Sequence, residues 1–179
     1  MLRAGLSKSW TLGRRMSRKA FYEAHALSLG KLLGNLQSIE MGARLAIVKL
    51  DARAAQIVQA QLPTAKVGDD VEVNAFSNND DLRQTLEKFN KRAPHTCHID
   101  VGPVVDLRDT LAHGRTFGSG PLGSPLRLLK FSRKAQDNRV SIEVAEDMTP
   151  EWFQSKITML ERVLGKVRIA LDYEKREFE

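Results

Sequence analysis

A chain of 179 residues, 42% of them apolar, has enough material for one domain with a sizeable buried core. Its single cysteine, Cys97, excludes an intrachain disulfide framework and fits a reducing, cytoplasmic setting, and no apolar run is long enough to span a bilayer. The net charge of +6 does not by itself mark a nucleic-acid binder: Arg3, Lys8, Arg14, Arg15, Arg18 and Lys19 all precede the first acidic residue, Glu23, and the rest of the chain carries as many basic as acidic residues.

Residues 1–16 are therefore expected to be a basic, flexible tail, with a transit peptide or a true start at Met16 as alternatives. Residues 17–179 are expected to form one domain. Aromatics are sparse, and the apolar residues are mostly Leu, Ala, Val and Ile, a mixture that leans helical. From Ser17 to about Ala60, Leu29, Leu32, Leu36, Ile39, Ala43, Ala46 and Leu50 recur at steps of three and four, one face of a long amphipathic helix. Pro63 ends it. The stretch from Thr64 to Asp81 is polar and rich in turn formers, so it predicts a loop, with Asn79 or Asp80 capping a helix from Asp81 to Lys91. A further helix is predicted from Asp100 or Pro103 to His113, with Gly114 standing where a C-terminal cap is wanted.

"TFGSGPLGSP", Thr116 to Pro125, reads as a connector. Beyond it "LRLLKFSRK" and "VSIEVAE" flank "AQDN", and Val140, Ile142 and Val144 alternate with Ser141 and Glu143, which predicts a β-hairpin. Thr149 then caps a long last helix. Pro150 takes its first position, and Phe153, Ile157, Leu160, Leu164, Val167 and Leu171 form a second stripe of threes and fours. The expected fold is all-α, a helical bundle with a small hairpin inserted before the C-terminal helix.

The chemistry concentrates in "VVDLRDTLAHGRTFG", Val104 to Gly118. On a helix, Asp109 and His113 lie about 40° apart and can interact, while Arg108 and His113 lie about 140° apart and can flank one crevice. A histidine titrates near neutrality, a carboxylate can fix its tautomer, and an arginine can fork onto a phosphate. Those are the parts for metal-free cleavage of RNA by 2′-hydroxyl attack, with a cation on the phosphorane. Blander roles compete. His113 suits a helix C-terminus electrostatically, Asp106, Arg108 and Asp109 make an ordinary solvated face, and Arg115 an ordinary surface cation. Lys130, Arg133 and Lys134, with Arg127 and Arg139, give the hairpin a basic excess that suits either phosphate binding or a protected sheet edge. Glu40 and Arg44 read as a helix ion pair. "HTCHID" gathers His95, Cys97, His98 and Asp100, but structural zinc sites draw ligand pairs from two places and the chain has no second cysteine, so no metal site is expected. No P-loop, dinucleotide glycine motif or nucleophile elbow appears, so no cofactor is expected.

"LRDTLAHGR" resembles the signature of the HEPN superfamily (higher eukaryote and prokaryote nucleotide-binding domains): an Arg, a polar residue and, a few places on, a His. Here Arg108, Asp109 and His113 fill those places. The similarity in organisation runs from about Ser17 to the C-terminus, through a first helix with Glu40 and Arg44, a motif helix, a hairpin and a closing helix opened by "MTPEW". It implies an all-α, often dimeric protein. Many members are ribonucleases, commonly toxins or antiviral effectors, in which Arg and His act across a dimer cleft. The tyrosine two places after the His, modified in some members, is Arg115 here. Two functional expectations follow the resemblance: a homodimeric, metal-independent endoribonuclease with catalytic Arg108, Asp109 and His113 and RNA-contacting Arg115, Lys130, Arg133 and Lys134, or a non-catalytic module that assembles with an antitoxin or nucleotidyltransferase-like partner. A helical interaction protein that merely shares the bundle is the third.

Overall fold

The computed structural model describes residues 17–118, 120–121 and 124–172. The expected basic tail lies outside them. Helix α1 is Arg18–Lys49, and the Ser17 hydroxyl caps it by accepting from the Ala20 N–H at 3.2 Å. The single helix expected as far as Ala60 is in fact two. Asp51 takes an extended backbone, and its carboxylate accepts from the Ala54 N–H at 3.1 Å, opening α2, Ala52–Gln61. A carboxylate able to cap a new helix competes with continuing the old one, and here it prevails.

The polar stretch after Thr64 runs as a loop to α3, Leu82–Arg92. Its cap is Asp81, one residue later than expected, in a reciprocal box with Gln84. A 3-10 turn, His95–Cys97, leads to α4, Val101–His113. Three strands follow, β1 Arg115–Phe117, β2 Arg127–Phe131 and β3 Ile142–Asp147, then α5, Pro150–Asp172. Thr149 opens α5 as expected, accepting from the Trp152 N–H at 3.1 Å.

The molecule is mostly helical but not all-α. Among the described residues, five α-helices accompany a three-stranded antiparallel sheet in the order β1-β2-β3. The predicted hairpin is present, and its turn is legible in the backbone. Gln136 bridges Arg139 around Asp137 and Asn138, whose φ angles of 50° and 60° match the doubly left-handed turn that follows strand twist. The third strand comes from the start of the predicted connector: Arg115, Thr116 and Phe117 pair with Leu129, Leu128 and Arg127.

Both leucine-rich stripes face one core, as their periods predict. Leu32, Leu36, Ile39, Ala43 and Ala46 of α1 meet Phe153, Leu160, Val163 and Val167 of α5, joined by Leu86 and Phe89 of α3, Val104 and Leu107 of α4, and Leu128 of the sheet. Helix α1 makes its most extensive contacts with α5 and its next most extensive with α3. Val140 and Ile142 stay exposed outside this core. No helix among the described residues is long and apolar enough to cross a membrane.

The tightest point is Gly42, where an added Cβ would sit 2.6 Å from Val167 Cγ1. Gly42→Ala should therefore cost about 1–3 kcal/mol in chemical denaturation. In a Val167→Ala background the clash is gone and alanine's better helix propensity remains, so the same change should be neutral or stabilising by up to about 1 kcal/mol. Equal costs in both backgrounds would show that the close approach is not the constraint.

Candidate functional site

Helix α4 buries Val104, Val105, Leu107 and Thr110 and leaves Asp106, Arg108, Ala112 and His113 exposed, with Asp109 half-buried. The structure thus presents Arg108, Asp109 and His113 on one solvent-facing arc of about 140°. Their pairing differs from the expected one. Arg108 Nη1 lies 3.1 Å from Asp109 Oδ1, so the carboxylate anticipated to orient His113 is engaged by its neighbour instead. Both partners are substantially exposed, at 50% and 32% of their side chains, and the pair is worth little to stability.

Gly114 ends the helix, donating its N–H to the Thr110 carbonyl at 2.8 Å. It is not the left-handed cap that glycine usually supplies there: φ and ψ are −73° and 160°. Space explains it. A Cβ would press on the Thr110 carbonyl and lie 2.6 Å from Leu128 Cδ1. Because Gly114 is extended, the chain passes from motif helix to sheet without a loop. Arg115 is consequently the first residue of β1, and its Cα lies within about 7 Å of that of His113.

Register sorts the sheet's side chains. Thr116, Leu128 and Glu146 are opposite one another, and Leu128 is buried in the core. The other face carries Arg115 across from Leu129, Phe117 across from Arg127 and Phe131 across from Ile142. There the Arg115 guanidinium carbon sits 5.4 Å from the centre of the Phe131 ring. Lys130 is tied to Glu143 at 3.4 Å and only 20% exposed, so it is a poorer phosphate ligand than its sequence position implies. Arg133 and Lys134 are exposed near the hairpin end. Phe117 and Phe131 were not among the residues singled out by sequence. A three-residue strand between two glycines gives too short a pattern to read.

Elsewhere the sequence expectations meet mixed outcomes. Glu40 and Arg44 form the predicted ion pair at 3.0 Å, but Arg44 does more. Buried, it donates to Glu40 Oε1, Asn78 Oδ1 and the carbonyls of Ala75 and Asp80, pinning the 75–80 loop to α1. Asp80 also accepts from Lys88 Nζ at 2.5 Å, and that hydrogen bond holds its carboxyl below the usual range. His25 packs edge-on against Phe153, and burial lowers its pKa. His95 and His98 stack at 4.5 Å while Cys97 points into the core. Among the described residues, no three His, Cys, Asp or Glu side chains gather as a metal-holding group.

No protein-family model, curated protein or solved structure matches the chain.

The two ion pairs should separate in unfolding measurements. Arg44→Met removes a buried charged donor with several acceptors and should cost about 2–3 kcal/mol. Asp109→Asn, at an exposed pair, should cost less than about 1 kcal/mol. A reversed order would mean that α4, and not the pinned loop, carries the stabilising electrostatics.

Proposed function

We propose that the chain is a metal-independent endoribonuclease of HEPN type acting as a homodimer. The observation that carries this reading is the joint presentation of Arg108 and His113 on the exposed arc of α4, directly before a sheet that begins with Arg115. His113 accepts the 2′-hydroxyl proton, the 2′-oxygen attacks the adjacent phosphorus, and Arg108 neutralises charge on the phosphorane. The 5′-oxygen leaves with a proton from a second acid, giving a 2′,3′-cyclic phosphate and a free 5′-hydroxyl. One motif supplies a single acid–base group. A two-fold pairing of motif helices brings a second His113 to the same cleft without further sequence. Arg115, Arg133 and Lys134 are the cations placed to meet the RNA backbone.

A second reading is a non-catalytic module that assembles with an antitoxin or nucleotidyltransferase-like protein. The Arg108–Asp109 ion pair favours it, because in the single chain the phosphate clamp is already neutralised. In the nuclease, incoming phosphate must displace Asp109, which then becomes available to His113.

Cleavage of single-stranded RNA by the purified protein, in the presence of EDTA and with cyclic phosphate ends, is the deciding measurement. His113→Ala should lower the rate about 10²- to 10⁴-fold with an unchanged fold. Arg108→Ala should likewise remove most activity, and Asp109→Asn should cost less. A protein that is monomeric by light scattering at micromolar concentration, or that leaves RNA intact without an inhibitory partner, would favour the assembly module.

A further inference from the structure

The outward face of the sheet is an unusual surface. Phe117 is 42% exposed and Ile142 57% exposed, and with Leu129 and Phe131 they form an apolar strip that the bundle does not cover. Apolar side chains adjacent on one uncovered sheet face are the raw material of an interaction site. Its chemistry is not that of an ordinary protein contact alone. Two phenylalanine rings lie on it, one already beneath the Arg115 guanidinium, and Arg127 stands opposite Phe117.

Charge favours one occupant. The strand carboxylates are engaged: Asp147 with Arg127 at 3.5 Å, Glu143 with Lys130, and Glu146 with the Trp152 indole N–H and with Lys156. Among the described residues, Arg115, Arg133, Lys134 and Arg139 have no carboxylate partner, and the exposed Asp137 in the turn is the one unpaired carboxylate set against them, so the face and its hairpin end keep a positive excess. Aromatic rings interleaved with arginines on an open antiparallel sheet suit unpaired nucleobases, which stack on rings and guanidinium planes while cations follow the phosphates. Duplex RNA hides its bases and has no use for the rings.

We infer that this sheet face is a platform for single-stranded RNA, on which bases stack against Phe117 and Phe131 and from which the strand runs past Arg115 toward His113. The inference rests on the ribonuclease reading for its direction, but the binding it describes does not require cleavage. It extends the motif by residues outside the helix. It also gives a reason for the extended Gly114: helix end and platform are held at fixed separation, so a stacked base sets which phosphate reaches the histidine.

The test is fluorescence anisotropy of the full chain with a labelled 2′-O-methyl oligouridine, which cannot be cleaved by 2′-hydroxyl attack. Phe117→Leu and Phe131→Leu keep an apolar side chain but lose the ring, and each should weaken single-strand binding about tenfold, one stacked base being worth about 1–3 kcal/mol. Duplex RNA should bind more weakly than the single strand and be indifferent to both changes, whereas Arg133→Ala should weaken both. Circular dichroism checks the fold, and Phe117, being exposed, keeps the test open if Phe131→Leu misfolds. Four outcomes of the binding experiment would overturn the platform: no binding of the oligomer, unchanged affinity in folded variants, duplex bound as tightly as single strand, or variants that alter only self-association, which would make the face a protein contact. Binding as described with no cutting of cleavable RNA would leave the platform standing and remove the nuclease. Cutting with unchanged KM in Phe117→Leu would do the reverse.

Discussion

Where α1 meets α5, the Val167 side chain fills the space that a Cβ on Gly42 would need, its Cγ1 lying 2.6 Å from that position. Much of the molecule takes its position from this seam. Gly42, Ala43 and Arg44 are consecutive, so about 100° of rotation separates each from the next, and each addresses a different neighbour. Gly42 admits α5, Ala43 sits in the core, and Arg44 reaches the loop that leads into α3. Helices α3 and α4 then pack on one another and on α1, and Leu128 anchors the sheet beneath α4. The motif helix is thus held from below while its charged arc makes few demands on the fold.

That division of labour governs what can vary. The stabilising polar contacts cluster around Arg44 and the 75–80 loop, where asparagine side chains and carbonyls are satisfied inside the structure. Most charges of α4 and of the hairpin are exposed, Asp109 and Lys130 being the half-buried ones, and the stability the exposed charges contribute is small and sensitive to salt. Side chains at the candidate site can therefore be exchanged with little structural penalty.

Much of this was legible in the sequence, and the gaps have physical causes. The two leucine-rich stripes imposed a period of three and four over many turns, so both long helices and their shared core could be read. The Asp51 break could not, because a helix interior tolerates one aspartate and only the backbone shows that this one caps a new start. Strand β1 escaped because three residues cannot establish a period, and its partner lies beyond a glycine-rich connection. At the candidate site the spacing of Arg108, Asp109 and His113 placed all three on one arc. It pointed the carboxylate at the histidine one turn on, whereas in the structure the adjacent arginine takes it. The glycine after the histidine was read in the right place but for a different reason: it makes room for Leu128 and the Thr110 carbonyl.

The placement of Cys97 has a practical consequence. It is the sole thiol in the chain, 1% exposed, in the short turn between α3 and α4 and packed with the core. An alkylating reagent can reach it only when that junction opens, so the labelling rate under native conditions reports the opening equilibrium at the root of the motif helix. The protein therefore carries its own gauge of breathing beneath α4, readable by mass without any engineered probe, and a ligand that braces the exposed arc from above would register there as a slower reaction.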